Sequence, residues 1–190
     1  MAIAVQTQPL ISVLWPTGHK TTFRNVVLVL LGAVLLTLSA KIQVPSYAIP
    51  MTMQSFVVVV LGAAYGWRLV AVTVSTYLLL GAIGLPVFAS GAGLAYMAGP
   101  TGGYLAGFLL GAMAVGALAE RGFDRQFSSA LTMFLIGELV IFGGGLIYLA
   151  TLVGLPKAIM AGLYPFIPGE ALKVGLAVAL LPLIWRRLEK

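Results

Sequence analysis

Hydrophobic residues along the chain form long runs, separated by short stretches that contain prolines and charged residues. A helix needs roughly 20 mostly apolar residues to cross the hydrocarbon layer of a membrane. Runs of about this length predict six membrane helices, with approximate bounds 24–43, 52–66, 68–86, 100–119, 127–153 and 166–187. The expected fold is an all-α bundle, with a polar N-terminal tail over 1–20 and a single membrane domain over 21–190.

Glycines stand at informative places in these runs. The second and third runs are joined by a tight turn at Tyr65-Gly66-Trp67-Arg68, which predicts two helices there rather than one. Gly143-Gly144-Gly145 lies in the middle of the fifth run. Because glycine weakens a helix interior, we expect this triplet to break the fifth helix.

Composition supports the membrane assignment and excludes several kinds of chemistry. Of the 190 residues, 61% are hydrophobic and 8% are charged, which leaves too few polar side chains to cover a soluble domain. The absence of cysteine excludes disulfides and thiolate chemistry. The one histidine, His19, lies in the predicted tail, away from the membrane runs. We therefore expect neither an enzyme nor a metal site.

The basic residues predict the orientation of the bundle. Most of the eleven Lys and Arg residues would lie on one face of a six-helix bundle. They flank the first and last helices and occupy the second and fourth connections: Lys20, Arg24, Arg68, Arg121, Arg125, Arg186, Arg187 and Lys190. Since basic residues concentrate on the cytoplasmic side of a membrane, both termini are predicted to be cytoplasmic. Topology thus explains the net charge of +6, and no nucleic-acid partner is expected.

Three ionisable residues fall inside the runs, where charge is costly. Glu170 and Lys173 stand three residues apart at the start of the last run, so they share a helix face. They form either a self-neutralising pair that reaches toward the interface or a ligand site in which Lys173 meets a carboxylate. Glu138 is predicted to lie near the middle of the fifth run, far from the outer mouth. We interpret it as a protonated, hydrogen-bonded packing residue, with a partner of Lys173 and a proton carrier as alternatives.

Small residues predict close helix contacts. A four-residue repeat opens the fourth run: Gly99, Gly103, Gly107 and Gly111. Such a repeat lets another helix approach closely. On the first helix, Gly32, Ala33 and Thr37 form a flat patch, which serves either packing within the chain or docking on another membrane protein.

Three tyrosines fall near the predicted outer face, namely Tyr47, Tyr96 and Tyr104. Each combines a flat apolar ring with a hydroxyl that can form hydrogen bonds. This combination suits a small amphipathic ligand. An aromatic belt at the membrane interface is the alternative interpretation.

Three stretches of the sequence resemble one family. IPMTMQ at 49–54, GAIGLPVFASGAGLAYMAGPTGGYLAGF at 81–108 and PFIPGEALK at 165–173 are similar to the BioY proteins, the biotin-specific substrate-binding S components of energy-coupling factor transporters. The resemblance runs from about residue 24 to 188. It implies six membrane helices in a bacterial plasma membrane, surrounded by lipid, with biotin held near the outer face and no covalently bound cofactor.

The resemblance also implies partners. A transmembrane coupling protein and two cytoplasmic ATPases would drive uptake, and the small residues of the first helix would dock on the coupling protein. The alternatives are a biotin transporter that works without this module and an S component for another small vitamin or a biotin precursor. A passive channel or structural bundle would show no saturable ligand binding.

The family motifs assign site residues by position. Glu170 stands where the family typically has Asp in Pro-Gly-Asp-x-x-Lys, and Lys173 stands at its Lys. Thr52 and Gln54 stand in Pro-Met-Thr-x-Gln, Tyr104 stands in Gly-Gly-Tyr, and Ser90 through Met97 form a candidate lid. The predicted biotin-binding residues are Tyr47, Thr52, Gln54, Ser90, Tyr96, Met97, Tyr104, Glu170 and Lys173. Lys173 would meet the ligand carboxylate, and Glu170 would accept from the ureido group.

Overall fold

A computed structural model describes residues 8–16, 21–44 and 49–188. In chain order its elements are α1 (Leu10–Leu14), α2 (Thr21–Lys41), β1 (Gln43–Val44), β2 (Met51–Thr52), α3 (Gln54–Ala82), α4 (Gly93–Met97), α5 (Gly102–Ala119), α6 (Phe127–Val153), α7 (Leu155–Gly162) and α8 (Ile167–Leu188). Within these residues, five helices are long and apolar enough to cross a membrane: α2, α3, α5, α6 and α8. The all-helical membrane bundle is as predicted, but the second and third predicted helices belong to one element.

That element, α3, folds back on itself at Gly66. The side-chain amide of Gln54 lies 2.7 Å from the hydroxyl of Tyr77. In a straight helix, these residues would be about 35 Å apart along the axis. Gly66 interrupts the helical backbone with φ 75° and ψ 168°, a conformation that only glycine adopts readily. The two arms of α3, 54–65 and 67–82, therefore run antiparallel on either side of the predicted turn.

The glycine triplet does not break α6, contrary to the expectation from sequence. The helix runs without interruption from Phe127 to Val153. A Cβ placed on Gly145 would run into the ring of Tyr104, and one on Gly144 would lie 3.4 Å from the carbonyl oxygen of Gly103. These glycines therefore serve the close approach of α5, which stabilises the helix that they were expected to interrupt.

The glycine repeat of α5 meets this surface of α6. A Cβ on Gly107 would lie 2.7 Å from the carbonyl oxygen of Ile141, and one on Gly111 would lie 2.7 Å from the Ile141 side chain. Gly103 also faces α6, with the carbonyl oxygen of Gly144 2.7 Å from the position of a Cβ. Gly99 does not belong to this contact, because it precedes α5 and faces the carbonyl of Tyr96.

The small patch of α2 faces the inside of the bundle. Gly32 and Ala33 are both buried. A Cβ on Gly32 would lie 2.5 Å from the Thr73 side chain on α3. The third residue, Thr37, is half-buried, and its hydroxyl donates to the carbonyl of Ala33 at 2.8 Å. This placement favours packing within the chain for Gly32 and Ala33. The exposed side of α2 carries large apolar residues instead: Leu31, Val34, Leu35 and Leu38.

Part of the predicted tail is packed against the bundle. Leu10, in α1, is only 3% exposed and belongs to the hydrophobic core. The Arg24 guanidinium donates to the carbonyl of Trp15 at 2.7 Å and so holds the end of α1. The tail boundary at residue 20 stays a prediction, but the tail is not polar throughout.

Near the α1 end of the bundle, a buried carboxyl connects the α5–α6 loop to α8. The Trp185 indole N–H donates to Asp124 Oδ2 at 2.5 Å. Burial raises the pKa of Asp124, while this hydrogen bond and the charge of Arg125 oppose the rise. The opposite end of the bundle carries the β1–β2 hairpin, α4 and α7, and we call it the pocket end.

Candidate functional site

A cavity opens at the pocket end between α3, α5, α6 and α8. Its interior has room for about 50 Å³, below the roughly 300–1,000 Å³ usual for small-molecule sites, so a ligand would have to move the lining residues apart. Most of its wall is apolar, and seven of the lining residues carry side-chain polar groups. The lining residues are Ile49, Pro50, Thr52, Gln54, Ser55, Phe88, Ala89, Tyr96, Thr101, Tyr104, Leu105, Phe108, Ile141, Phe142, Phe166 and Glu170.

The only ion pair found among the described residues stands at the rim of this cavity. Lys173 Nζ lies 2.8 Å from Glu170 Oε1, and both side chains are 13% exposed. The same nitrogen donates to the carbonyl oxygen of Thr52 at 2.5 Å and to the hydroxyl of Ser55 at 3.0 Å. Ser55 in turn donates to Glu170 Oε2 at 2.8 Å. Since an ammonium has three N–H bonds, Lys173 makes its full complement of hydrogen bonds within the chain.

The structure agrees in part with both interpretations of the Glu170–Lys173 pair, the self-neutralising pair and the ligand site. Lys173 and Glu170 neutralise each other, as the first interpretation requires. However, the pair bonds to α3 and β2 instead of reaching toward solvent, and Glu170 lines the cavity. A ligand acid can reach Lys173 only by displacing one of its three acceptors. The Ser55 hydroxyl is the most distant of them and is the natural one to yield.

A second polar chain orients Gln54, which is buried. Its Nε2 donates to the hydroxyl of Tyr77 at 2.7 Å, and that hydroxyl donates to the carbonyl of Val87 at 3.2 Å. Its Oε1 accepts from the Thr52 hydroxyl at 3.3 Å. A carboxamide oxygen has two lone pairs and the nitrogen has two hydrogens, so Gln54 keeps capacity both to accept and to donate.

Aromatic rings form the apolar wall in two groups. Tyr104 packs against Phe142 edge to face and against Phe166 nearly parallel, with centroids 5.7 Å and 6.5 Å away. On the other side, Phe88 stacks on Tyr96 with centroids 5.1 Å apart. The Tyr104 hydroxyl is already used, because it donates to the carbonyl of Gly162 at 2.8 Å and so connects the wall to α7. These faces suit the flat apolar body of a bicyclic ligand.

The cover of the cavity is held by hydrogen bonds from the end of α2 and from β1. Lys41 Nζ donates to the carbonyl of Phe88 at 2.6 Å, and the Gln43 amide donates to that of Ala89 at 3.4 Å. The hairpin pairs Gln43 with Thr52, so the same strands also hold the carbonyl that Lys173 binds. Strands β1 and β2 and the segment before α4 thus form one connected cover.

Glu138 lies on α6, next to residues that line the cavity. It is 7% exposed on α6, one turn from the lining residues Ile141 and Phe142. The charges of Glu170 and Lys173 both act on its carboxyl. Among the described residues, neither of its carboxylate oxygens has a hydrogen-bond partner. The expectation of a hydrogen-bonded packing residue was wrong in this respect, since the apolar packing around the carboxyl leaves both oxygens without a donor among the described residues.

The predicted site residues are partly brought together. Thr52, Gln54, Tyr96, Tyr104 and Glu170 line the cavity, and Lys173 binds two of them. Ser90 is exposed and Met97 packs against the core, and neither belongs to the lining side chains, so their contact with a ligand stays a prediction. Tyr47 lies outside the described residues.

Several lining residues were not predicted from sequence. Ser55 is the most informative of them, because it joins both members of the ion pair. Phe88, Phe108, Phe142 and Phe166 form much of the wall. The only sequence signal for Ser55 is its position one residue after Gln54, and phenylalanines in apolar runs look like any other core residue.

Comparison with known proteins agrees with this geometry. The sequence matches the BioY family over residues 15–190. The biotin transporter BioY of Thermotoga maritima is 39% identical over 157 residues, which cover 82% of this chain and 91% of that protein. The biotin transporter BioY of Rhizobium etli is 39% identical over 170 residues, covering 83% and 90%.

A solved structure has the same fold. It is described as the S component for biotin from an ECF-type ABC transporter, and it superposes with a TM-score of 0.76 over 90% of this chain and 95% of that chain. The two sequences are 21% identical, so the likeness concerns the fold.

Proposed function

This chain belongs to the BioY family, and on that premise we propose that it binds biotin in the cavity at the pocket end and mediates biotin uptake across a membrane. The relatives named above are transporters and not enzymes. The observation that carries the proposal is the combination of an aromatic-walled cavity with the Lys173–Glu170–Ser55 cluster at its rim.

Biotin matches this combination group by group. Its valerate carboxylate requires a cation, its bicyclic body requires apolar faces, and its ureido group carries two N–H donors and one acceptor. Lys173 would meet the carboxylate after giving up the Ser55 hydroxyl. Gln54 and Glu170 would meet the ureido group, and the two aromatic groups would hold the body. Glu170 is one methylene longer than the family's usual Asp, and Ser55 supports the added length through Oε2.

The transport assembly is part of the same proposal. The protein acts as the S component of an energy-coupling factor importer in a bacterial plasma membrane, with a coupling protein and two ATPases as partners. The fold-back of α3 supports six membrane crossings, which would put both termini on one side, and the distribution of basic residues supports the cytoplasm as that side. Since Gly32 and Ala33 are buried, docking through α2 would use the exposed apolar residues around Thr37. Biotin uptake in cells that lack the ATPases would favour the alternative, a solitary transporter.

Equilibrium titration of the purified protein with biotin tests the proposal. We expect saturable binding, and Lys173→Ala should weaken it by about 100-fold, because the ligand carboxylate loses its cation and Glu170 loses its partner. Lys157→Ala is the matched control, since Lys157 is exposed on α7, and it should bind like the unchanged protein. Absence of saturable binding would refute the proposed function.

Competition separates the proposal from a site for another vitamin. Dethiobiotin, thiamine and riboflavin should each displace biotin poorly if the cavity recognises the complete bicyclic body. Stronger binding of any of them than of biotin would assign the cavity to that ligand. A Lys173→Ala protein with unchanged affinity would place the carboxylate at another cation.

A further inference from the structure

Glu138 is a buried acid that the proposed biotin contacts leave unused. It lies on α6 with 7% exposure, and both of its oxygens lack a hydrogen-bond partner among the described residues. Buried polar groups in proteins are nearly always paired, so an unpaired carboxyl calls for an explanation. A carboxylate without partners is costly in an apolar setting, and the neutral acid is the form that such burial favours.

Besides burial, the charges of Lys173 and Glu170 affect whether the Glu138 carboxyl is ionised. Lys173 attracts the anionic form of the carboxyl, and Glu170 repels it. Both residues belong to α8. Of the other helices packed against α6, α5 carries no charged residue, α3 carries Arg68 beside the Gly66 turn, and α7 carries the exposed Lys157. The charge state of Glu138 therefore depends on how Lys173 and Glu170 are paired. The carboxylate of an entering ligand would change the hydrogen bonds of these same two residues.

The position of Glu138 relative to the cavity makes this dependence relevant to ligand binding. Ile141 and Phe142, three and four residues further along α6, form part of the cavity wall. A helix places residues at these spacings on the same face. Glu138 thus lies one turn below the wall, beneath a cavity whose rim is formed by the Lys173–Glu170 pair.

We infer that Glu138 is a proton-binding residue of the ligand site, which takes up a proton from water when an anionic ligand enters the cavity. This inference rests on the proposed function. The entering carboxylate adds one negative charge and engages Lys173, so the attraction that favoured ionised Glu138 is weakened. The proton passes from a hydronium ion or a buffer acid in the solvent to a Glu138 oxygen; the O–H bond there forms as the donor's bond to the proton breaks, and the charge of the entering anion is balanced.

Calorimetric titration of the intact protein measures this proton directly. Biotin binding is recorded at one pH in phosphate and in Tris, which differ in their heat of ionisation, and the difference in heat gives the number of protons exchanged. Between pH 6 and 8.5 we expect net uptake of up to one proton, and an affinity that falls by up to tenfold per pH unit where uptake is largest. No proton uptake at any pH in this range would overturn the inference.

Variants assign the proton to Glu138. Glu138→Gln keeps the size of the side chain and should bind biotin without proton uptake. Glu120→Gln is the matched control, because Glu120 lies at the other end of the bundle, where its Oε1 accepts from the Trp67 backbone. It should keep the uptake of the unchanged protein. Uptake that persists in Glu138→Gln would place the proton on another group and overturn the assignment.

A neutral ligand provides a second test, which does not depend on whether the Glu138→Gln variant folds. Biotinamide lacks the carboxylate charge, so its binding to the unchanged protein should take up markedly less proton than biotin. Equal uptake with both ligands would contradict the inference while leaving biotin binding intact. Absence of biotin binding would instead refute the proposed function, and the inference with it.

Discussion

At the scale of single residues, the site depends on how fully each polar group is already bonded. The sequence predicted that Glu170 and Lys173 share a helix face, and the structure pairs them at 2.8 Å. It could not predict that Lys173 also binds Thr52 and Ser55, because these partners lie about 120 residues away along the chain. A helix-start serine has many local uses. Only the packing of α8 against α3 gives Ser55 its role.

Ser55→Ala tests that role. Removal of the hydroxyl leaves Glu170 Oε2 without its donor and frees the pair to adopt other orientations. We expect biotin affinity to fall by about 10-fold, equivalent to about 1.4 kcal/mol, as measured by equilibrium titration. Ser75→Ala, on the other arm of α3 and outside the cavity lining, is the control and should change nothing. Equal affinity in the two variants would show that Ser55 does not orient the pair.

At the scale of elements, glycine alone did not reveal which helix is interrupted. Gly66 permits the reversal of α3, whereas Gly143, Gly144 and Gly145 lie in an unbroken α6. The same residue type permits both outcomes, and the neighbouring helix decides between them. The turn was predictable because a charged residue and aromatic residues surround Gly66. The continuity of α6 was not, because it depends on the fit of Tyr104 against Gly145.

Gly66→Ala should destabilise the protein. A Cβ there would lie 2.8 Å from Pro9 and would run into the Glu120 carboxylate. In addition, the backbone conformation is strained for alanine, at a cost of about 1–3 kcal/mol. Thermal unfolding in detergent should show a lower melting temperature, by roughly 2–4 °C for each kcal/mol.

The control for this substitution is Gly143→Ala. A Cβ on Gly143 meets nothing within 4 Å, and the residue is helical, so alanine should be neutral or stabilise by up to about 1 kcal/mol. If both substitutions lowered the melting temperature equally, the fold-back at Gly66 would not be the reason for the loss.

At the scale of the whole molecule, the hydrophobic pattern predicted the bundle well, and it predicted the cover of the cavity poorly. Spanning helices have a length set by the membrane, so they can be recognised one at a time. The hairpin, α4 and α7 are short and depend on contacts with the rest of the chain. The same applies to the cavity wall, since its phenylalanines differ from core residues only by the space beside them.

The predicted orientation can be tested by single-cysteine labelling, because the chain has no cysteine of its own. Lys157→Cys lies at the pocket end and Ser128→Cys at the opposite end, and both positions are exposed. A membrane-impermeant maleimide should label the first in intact cells and the second only after permeabilisation. The reverse pattern would place both termini outside the cytoplasm and the cavity inside it.

The hydrogen bond from Lys173 to the carbonyl of Thr52 joins strand β2 to the side chain that would bind the ligand carboxylate in the proposed function. Thr52 pairs with Gln43, whose amide holds Ala89 beside the Phe88–Tyr96 stack. In the proposed function, a ligand carboxylate that draws the Lys173 ammonium toward itself would also displace Thr52, and with it the strand pair and the segment at Ala89. Ligand binding and movement of the cavity cover would then be coupled through one nitrogen atom.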